Sequence, residues 1–133
     1  MAAASFAPEI LAEPLARVGS LVTLPFPPSA NRLWRFVPGQ PHPLKSETYR
    51  KWLKAAHAEC WGVRRVRGPF RITILATRPD NRARDLDNLA KPVLDALKGI
   101  AFEDDSLCQS LQISWSAGPP VKKGAIMAQV DPA

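Results

Sequence analysis

The chain has 133 residues, with 18 Lys+Arg against 12 Asp+Glu, and a formal net charge of +6 at pH 7. That length suits one domain, and 46% hydrophobic with 23% charged residues is too apolar and too balanced for a disordered chain. The basic excess implies an anionic partner such as nucleic acid or an acidic membrane surface, while 14 prolines with 7 glycines and no period exclude collagen-like repeats and read as loop punctuation.

Residues 1–17, rich in alanine and proline, read as a tail or a short, loosely attached helix, which leaves 18–133 as the domain. They lack the basic start of a signal peptide, and Glu9 and Glu13 interrupt its apolar run. No stretch approaches the roughly 18 apolar residues of a membrane span, so a cytoplasmic protein without a membrane partner is expected. Val18 to Leu24 reads as a strand ended by Pro25, Pro27 and Pro28, and the following loop carries Asn31, Arg32, Trp34 and Arg35. Ser46 to Trp61 reads as an amphipathic helix with Tyr49, Trp52, Leu53, Ala56 and Cys60 on its apolar stripe, Ser46 as cap and Gly62 as stop. In Phe70 to Thr77, alternation puts Phe70, Ile72, Ile74 and Ala76 on one strand face. A polar loop to Arg84 leads into a second helix, Leu86 to Leu97. Pro92 is awkward inside it, so the regular helix is expected to begin nearer Lys91 than Asp87. Leu111 to Trp115 and Ala125 to Val130 read as the last strands, expected to pair antiparallel. The order β-α-β-α-β-β predicts a single small α/β (α+β) domain, a mixed four-stranded sheet with helices packed on it. Trp52, Trp61 and Trp115 are expected in the core, and Cys60 and Cys108, without C-x-x-C spacing, as two buried reduced thiols.

The acids are unevenly placed. Asp80, Asp85, Asp87, Asp95, Glu103, Asp104 and Asp105 fall within residues 80–105, overlapping the end of an arginine-rich stretch holding Arg64, Arg65, Arg67, Arg71, Arg78, Arg82 and Arg84. In a locally extended Asp85-Leu86-Asp87, both carboxylates project to one side and can face one ion, and clustered oxygen donors select hard cations such as Mg²⁺ or Mn²⁺. Met alone, a D-x-D is more often a solvated turn or helix cap. Asp104-Asp105, in the loop after the same helix, is a second acidic pair that reaches the same ion if helix and next strand fold back on each other. Lys91 stands four residues after Asp87 and four before Asp95. It reads either as a partner in surface ion bridges or as a fixed positive charge beside the metal, and Asp95 as a surface bridge only. No Gly-rich phosphate loop, Ser/His/Asp triad or His-based metal site is supported, and no small-molecule cofactor is expected.

The string RARDLDNLAKPVLDALKGIAFEDDS resembles the RusA family of Holliday junction resolvases, small phage and prophage endodeoxyribonucleases. Their pattern is D-x-D-N, a lysine four residues after the second aspartate, D-A-L with a nearby glycine, and a downstream D-D. PPSANRLWR resembles the family's P-x-S-x-N-x-x-W/Y-R element, and YRKWLKAA its following helix. The resemblance implies that Asp85, Asp87 and Asp105 are the essential metal-binding carboxylates and Lys91 the catalytic lysine, with Asp104 joining the metal site and Asn88 in support. It implies a homodimer that requires Mg²⁺ or Mn²⁺ and places paired nicks in opposite strands of a four-way DNA junction, in recombination and repair, leaving 5′-phosphate ends. Asn31, Arg32, Arg35, Arg78, Arg82 and Arg84 are the expected DNA contacts, with Lys122 and Lys123 near further phosphates and binding strongly salt-dependent. Two alternatives stay open: a basic DNA-binding protein without catalysis, and a metal-dependent nuclease for another branched or single-stranded nucleic acid.

Overall fold

The computed structural model describes residues 19–133. The expected tail, 1–17, and Val18 at the head of the first strand lie outside the described residues. In chain order the elements are β1 (Ser20–Leu24), β2 (Trp34–Arg35), β3 (Leu44–Lys45), α1 (Glu47–Ala58), β4 (Phe70–Thr77), α2 (Ala90–Leu97), β5 (Cys108–Trp115) and β6 (Ala125–Pro132), with 3-10 turns at Ala30–Arg32, Leu86–Leu89 and Asp105–Leu107. Strands β1, β6, β4 and β5 lie in that order in a mixed four-stranded sheet, and β2 pairs with β3 in a separate short ribbon.

Strand β4 follows the alternation of its sequence, with Phe70, Ile72, Ile74 and Ala76 all buried. It runs parallel to β5 and antiparallel to β6. A parallel neighbour requires a crossover connection, and α2 supplies it. The last two strands therefore do not pair as expected, because β4 lies between them. The segment 116–124 is too long and too proline-rich for a tight hairpin, and it passes over the end of β4 instead. Ser116 N–H donates to the Ala76 carbonyl at 2.7 Å and Val121 N–H to that of Arg78 at 2.9 Å. Gly124 closes this passage with φ +60°, and a Cβ there would stand 2.8 Å from the Thr77 carbonyl oxygen.

The two described α-helices cover one sheet face. Tyr49, Trp52 and Ala56 of α1 and Val93, Ala96 and Leu97 of α2 form one buried cluster with the inner positions of β1, β4 and β6. Ser46 caps α1 as expected, its hydroxyl oxygen accepting from Tyr49 N–H at 3.0 Å. Because α1 ends at Ala58, the helical stripe lapses before Trp61, which is 88% exposed rather than in the core. Trp115 and Cys108 are half-buried, and Cys60 is buried. Pro92 is the third residue of α2, within the first turn, where amides have no intrahelical acceptor to lose. The Leu86–Leu89 turn supplies the entry that makes this possible.

After α2, the chain reverses at Gly99, with φ +79°, whose N–H donates to the Phe102 carbonyl at 2.7 Å. Phe102 is fully buried and stacks on Phe70 with centroids 4.1 Å apart. This packing fixes where the chain leaves the core just before Asp104 and Asp105.

Candidate active site

The two acidic pairs occupy the two ends of one crossover. Asp85 precedes the Leu86–Leu89 turn and Asp87 lies within it, while Asp104 caps the Asp105–Leu107 turn that leads into β5. Between them, Lys91 in the first turn of α2 reaches Asp95 Oδ1 at 2.8 Å and Asp105 Oδ2 at 3.8 Å. Sequence spacing anticipated the Lys91–Asp95 pair but not its setting. Asp95 is only 12% exposed, and its second oxygen accepts a short hydrogen bond from the Tyr49 hydroxyl of α1. It is therefore an anchor, not a surface bridge. Tyr49 is itself fully buried, between Trp52 and the edge-on Trp34 ring 5.7 Å away.

The electrostatics follow from these contacts. The hydrogen bond to Asp95 raises the Lys91 pKa, against a smaller opposing effect of burial, so the ammonium keeps its proton at neutral pH. Burial first, and then Asp95, pushes the Tyr49 hydroxyl well above the ordinary phenol range, so it remains a donor. Asp104 is held down to about 2 by the Ser106 hydroxyl, then by the Ser106 amide and Lys98. Its contacts, 2.5 and 3.0 Å to Ser106 and 3.1 Å to Lys98, point it into its own turn.

Among the described residues, no group of three or more His, Cys, Asp and Glu is gathered to hold an ion. The donor chemistry nonetheless fits a hard divalent cation. Asp105 Oδ1 is buried with no hydrogen-bond partner, an oxygen that a cation would satisfy. Asp85 and Asp87 are exposed, and their side chains accept from no described residue. Asn88 is also exposed, its backbone N–H donating to the Asp85 carbonyl at 3.2 Å.

Beside Asp85 opens a cleft of about 340 Å³ between the Pro27-Pro28 loop and residues 82–89. Arg84 borders it, held by both oxygens of Asp80 at 2.9 and 3.3 Å. Arg82 joins the same carboxylate through its Nε at 3.3 Å. Arg84 lies over the Phe26 ring, Phe26 stacks on Trp115, and Arg78 lies over the Trp115 ring, 4.1 Å from its centroid. Of the expected DNA contacts, Arg78, Arg82 and Arg84 are thus gathered on one side of the acidic turn. Asn31, Arg32 and Arg35 are exposed on the loop and ribbon that also carry Trp34.

A family profile described as Endodeoxyribonuclease RusA matches residues 25–125, from the proline loop through both acidic turns to β6. The chain belongs to the RusA endodeoxyribonuclease family. It is similar to the crossover junction endodeoxyribonuclease rusA of Enterobacteria phage HK97, 36% identical over 83 residues, 62% of this chain and 69% of that protein. It is also similar to the crossover junction endodeoxyribonuclease RusA of Escherichia coli (strain K12), 37% identical over 86 residues, 61% and 68% of the two chains. A third relative, from Enterobacteria phage 82, is 36% identical over 86 residues with the same coverage. The match to the RusA profile thus encloses the whole crossover and α1, including Tyr49.

Two groups escaped sequence reasoning. Asp80 was visible only as one more acid, although its place before Arg82 and Arg84 is the signal of a local carboxylate–guanidinium clamp. Tyr49 read as core, which it is, and its hydroxyl gave no hint of a partner 46 positions away. Tyr49→Phe is expected to lower stability by about 2 kcal/mol, the worth of a hydrogen bond to a charged acceptor. Urea unfolding of wild type and variant measures it.

Proposed function

We propose that this RusA-family endonuclease cuts four-way DNA junctions by paired phosphodiester hydrolysis, as a homodimer dependent on Mg²⁺ or Mn²⁺, within DNA recombination and repair. The observation that carries the reading is Lys91, fixed by Asp95 and leaning on Asp105, whose other buried oxygen lacks a partner. That arrangement joins a fixed cation to an oxygen donor where the family pattern has both. The names of the similar phage and bacterial proteins support the junction as substrate.

Asp85, Asp87 and Asp105 would hold the divalent ion. When bound, such an ion polarises a phosphodiester oxygen and makes water a stronger acid. Lys91, its ammonium kept protonated by Asp95, stabilises the negative charge that grows on the phosphoryl oxygens as water adds in line. The bond from phosphorus to the 3′ oxygen breaks, leaving a 5′-phosphate. Asp95 and Tyr49 act through Lys91 by holding its position. The arginines from Arg64 to Arg84 contact neighbouring phosphates, which supports a strong salt dependence of binding. A two-fold dimer offers two equivalent sites to two strands of opposite polarity.

The test is a labelled four-way junction beside a linear duplex of matched sequence, each incubated with and without Mg²⁺. Symmetric paired cuts in the junction alone, only with Mg²⁺, are expected. Equal cutting of both DNAs would remove the junction from the proposal, and undiminished cutting in EDTA would remove the metal.

A further inference from the structure

The cleft beside Asp85 has a shape and charge that phosphate contacts do not explain. At about 340 Å³ it lies at the low end of small-ligand pockets, which run from roughly 300 to 1,000 Å³. It therefore has room for a single ring system and not for a double helix. Its walls include the faces of Phe26, Pro27 and Leu89, with Arg84, Asp85 and Asn88 at the polar side. The Arg84 guanidinium lies 5.5 Å from the Phe26 ring centroid, so a flat cation and a flat aromatic ring stand together at one side of the opening.

The charge argues against an anion inside. Arg82 and Arg84 are both engaged by Asp80, and Asp85 adds a second carboxylate, so two positive and two negative groups cancel at the mouth. Hydrogen-bonding capacity remains open. The Asn88 amide has no described partner and can both donate and accept. The Ser29 hydroxyl donates to Asn31 Oδ1 at 2.7 Å and so keeps its lone pairs as acceptors. A neutral, flat-walled cleft with donors and acceptors along one edge suits a nucleobase.

We propose that this cleft receives one nucleobase of the strand being cut, turned out of its stack beside the phosphate that faces Asp85. The inference rests on the endonuclease reading above. A branch point favours it, because bases there have lost part of their stacking and cost less to displace. The ring packs against Pro27, Leu89 and the Arg84 guanidinium that lies over Phe26, while its edge meets Asn88 and Ser29. Phe26 is stacked on Trp115, at a centroid distance of 6.2 Å and 14° between planes, so this part of the wall is already in place before DNA arrives.

The test scans a cleavable four-way junction with a single abasic nucleotide, moved one position at a time through the cut site. One position should slow cutting by about tenfold, the scale of one lost base stack, while positions two nucleotides away leave it unchanged. Ala83→Trp, which fills the cleft from its lining, should slow the intact junction by a similar factor and cut the responsive abasic junction as fast as wild type does. A flat abasic scan overturns the inference, as does an Ala83→Trp protein equally impaired on both junctions. If wild type cuts no junction at all, the functional reading fails instead. The cleft is then decided without metal, by 2-aminopurine placed at successive positions of a bound junction. Increased emission at one position with wild type but not with Ala83→Trp supports it, and no increase anywhere overturns it.

Discussion

Asp105→Asn is expected to lower junction cutting by about a thousandfold while changing junction affinity by no more than a few-fold. Neutralising this side chain removes an anionic donor from the proposed ion site and the second carboxylate near Lys91. Several kcal/mol of transition-state stabilisation depend on such an ion, and each ~1.4 kcal/mol corresponds to a factor of ten in rate. Folding should not suffer. Asp105 Oδ1 makes no hydrogen bond, and the 3.8 Å contact of Oδ2 is with a lysine 58% exposed to water, so an amide of the same shape forfeits little. A stability change within about 0.5 kcal/mol is expected, the ordinary range for substitutions away from packed features. Single-turnover cutting, a gel-shift titration without metal and a thermal melt check the three parts. Loss of affinity in parallel with rate would make Asp105 a DNA contact rather than an ion donor.

Phe102→Ala is expected to cost about 3 to 5 kcal/mol of stability, the range for emptying an aromatic site in a packed core. Phe102 is fully buried, stacked on Phe70, and joined to the chain before β4 by a bridge to Val66. Its carbonyl also accepts from Gly99, so the turn after α2 is organised around it. A domain of this size has only about 5 to 15 kcal/mol in total, so the variant should be marginal at 37 °C. The urea midpoint should fall with little change in slope. A loss below 1 kcal/mol would mean that the site collapses around the vacancy and that Phe102 does not hold the acidic turn in place.

Local patterns made part of this fold readable. The alternation in FRITILAT gave β4 and its buried face, and the Ser46 cap with Tyr49, Trp52 and Ala56 gave α1. Pro92 placed the regular start of α2 near Lys91, one residue from the observed Ala90. What stayed hidden depended on distant pairing. The β2–β3 ribbon has only two residues in each strand, too few for any period. The insertion of β6 between β1 and β4 is set by which edges remain available, and no local pattern encodes that. The site divides along the same line. Asp85, Asp87, Lys91 and Asp105 stand out because their spacing is local and matches the RusA pattern. Asp95 reads as a surface group in the sequence, and its burial is decided by Tyr49, delivered from another helix. Trp61 reads as core because its position extends the stripe of a helix that in fact ends three residues earlier.

The place of β6 also bears on how the protein is made. It is the last of the strands in sequence, yet it lies inside the sheet, with β1 on one side and β4 on the other. A ribosome therefore delivers both acidic turns and Lys91 before the strand that ties β4 to β1. Until β6 emerges, the flank of β4 opposite β5 is an open row of amides and carbonyls, the kind of edge that recruits chaperones or a neighbouring nascent chain. Synthesis order thus separates the appearance of the two acidic turns and Lys91 from the completion of the sheet that carries them.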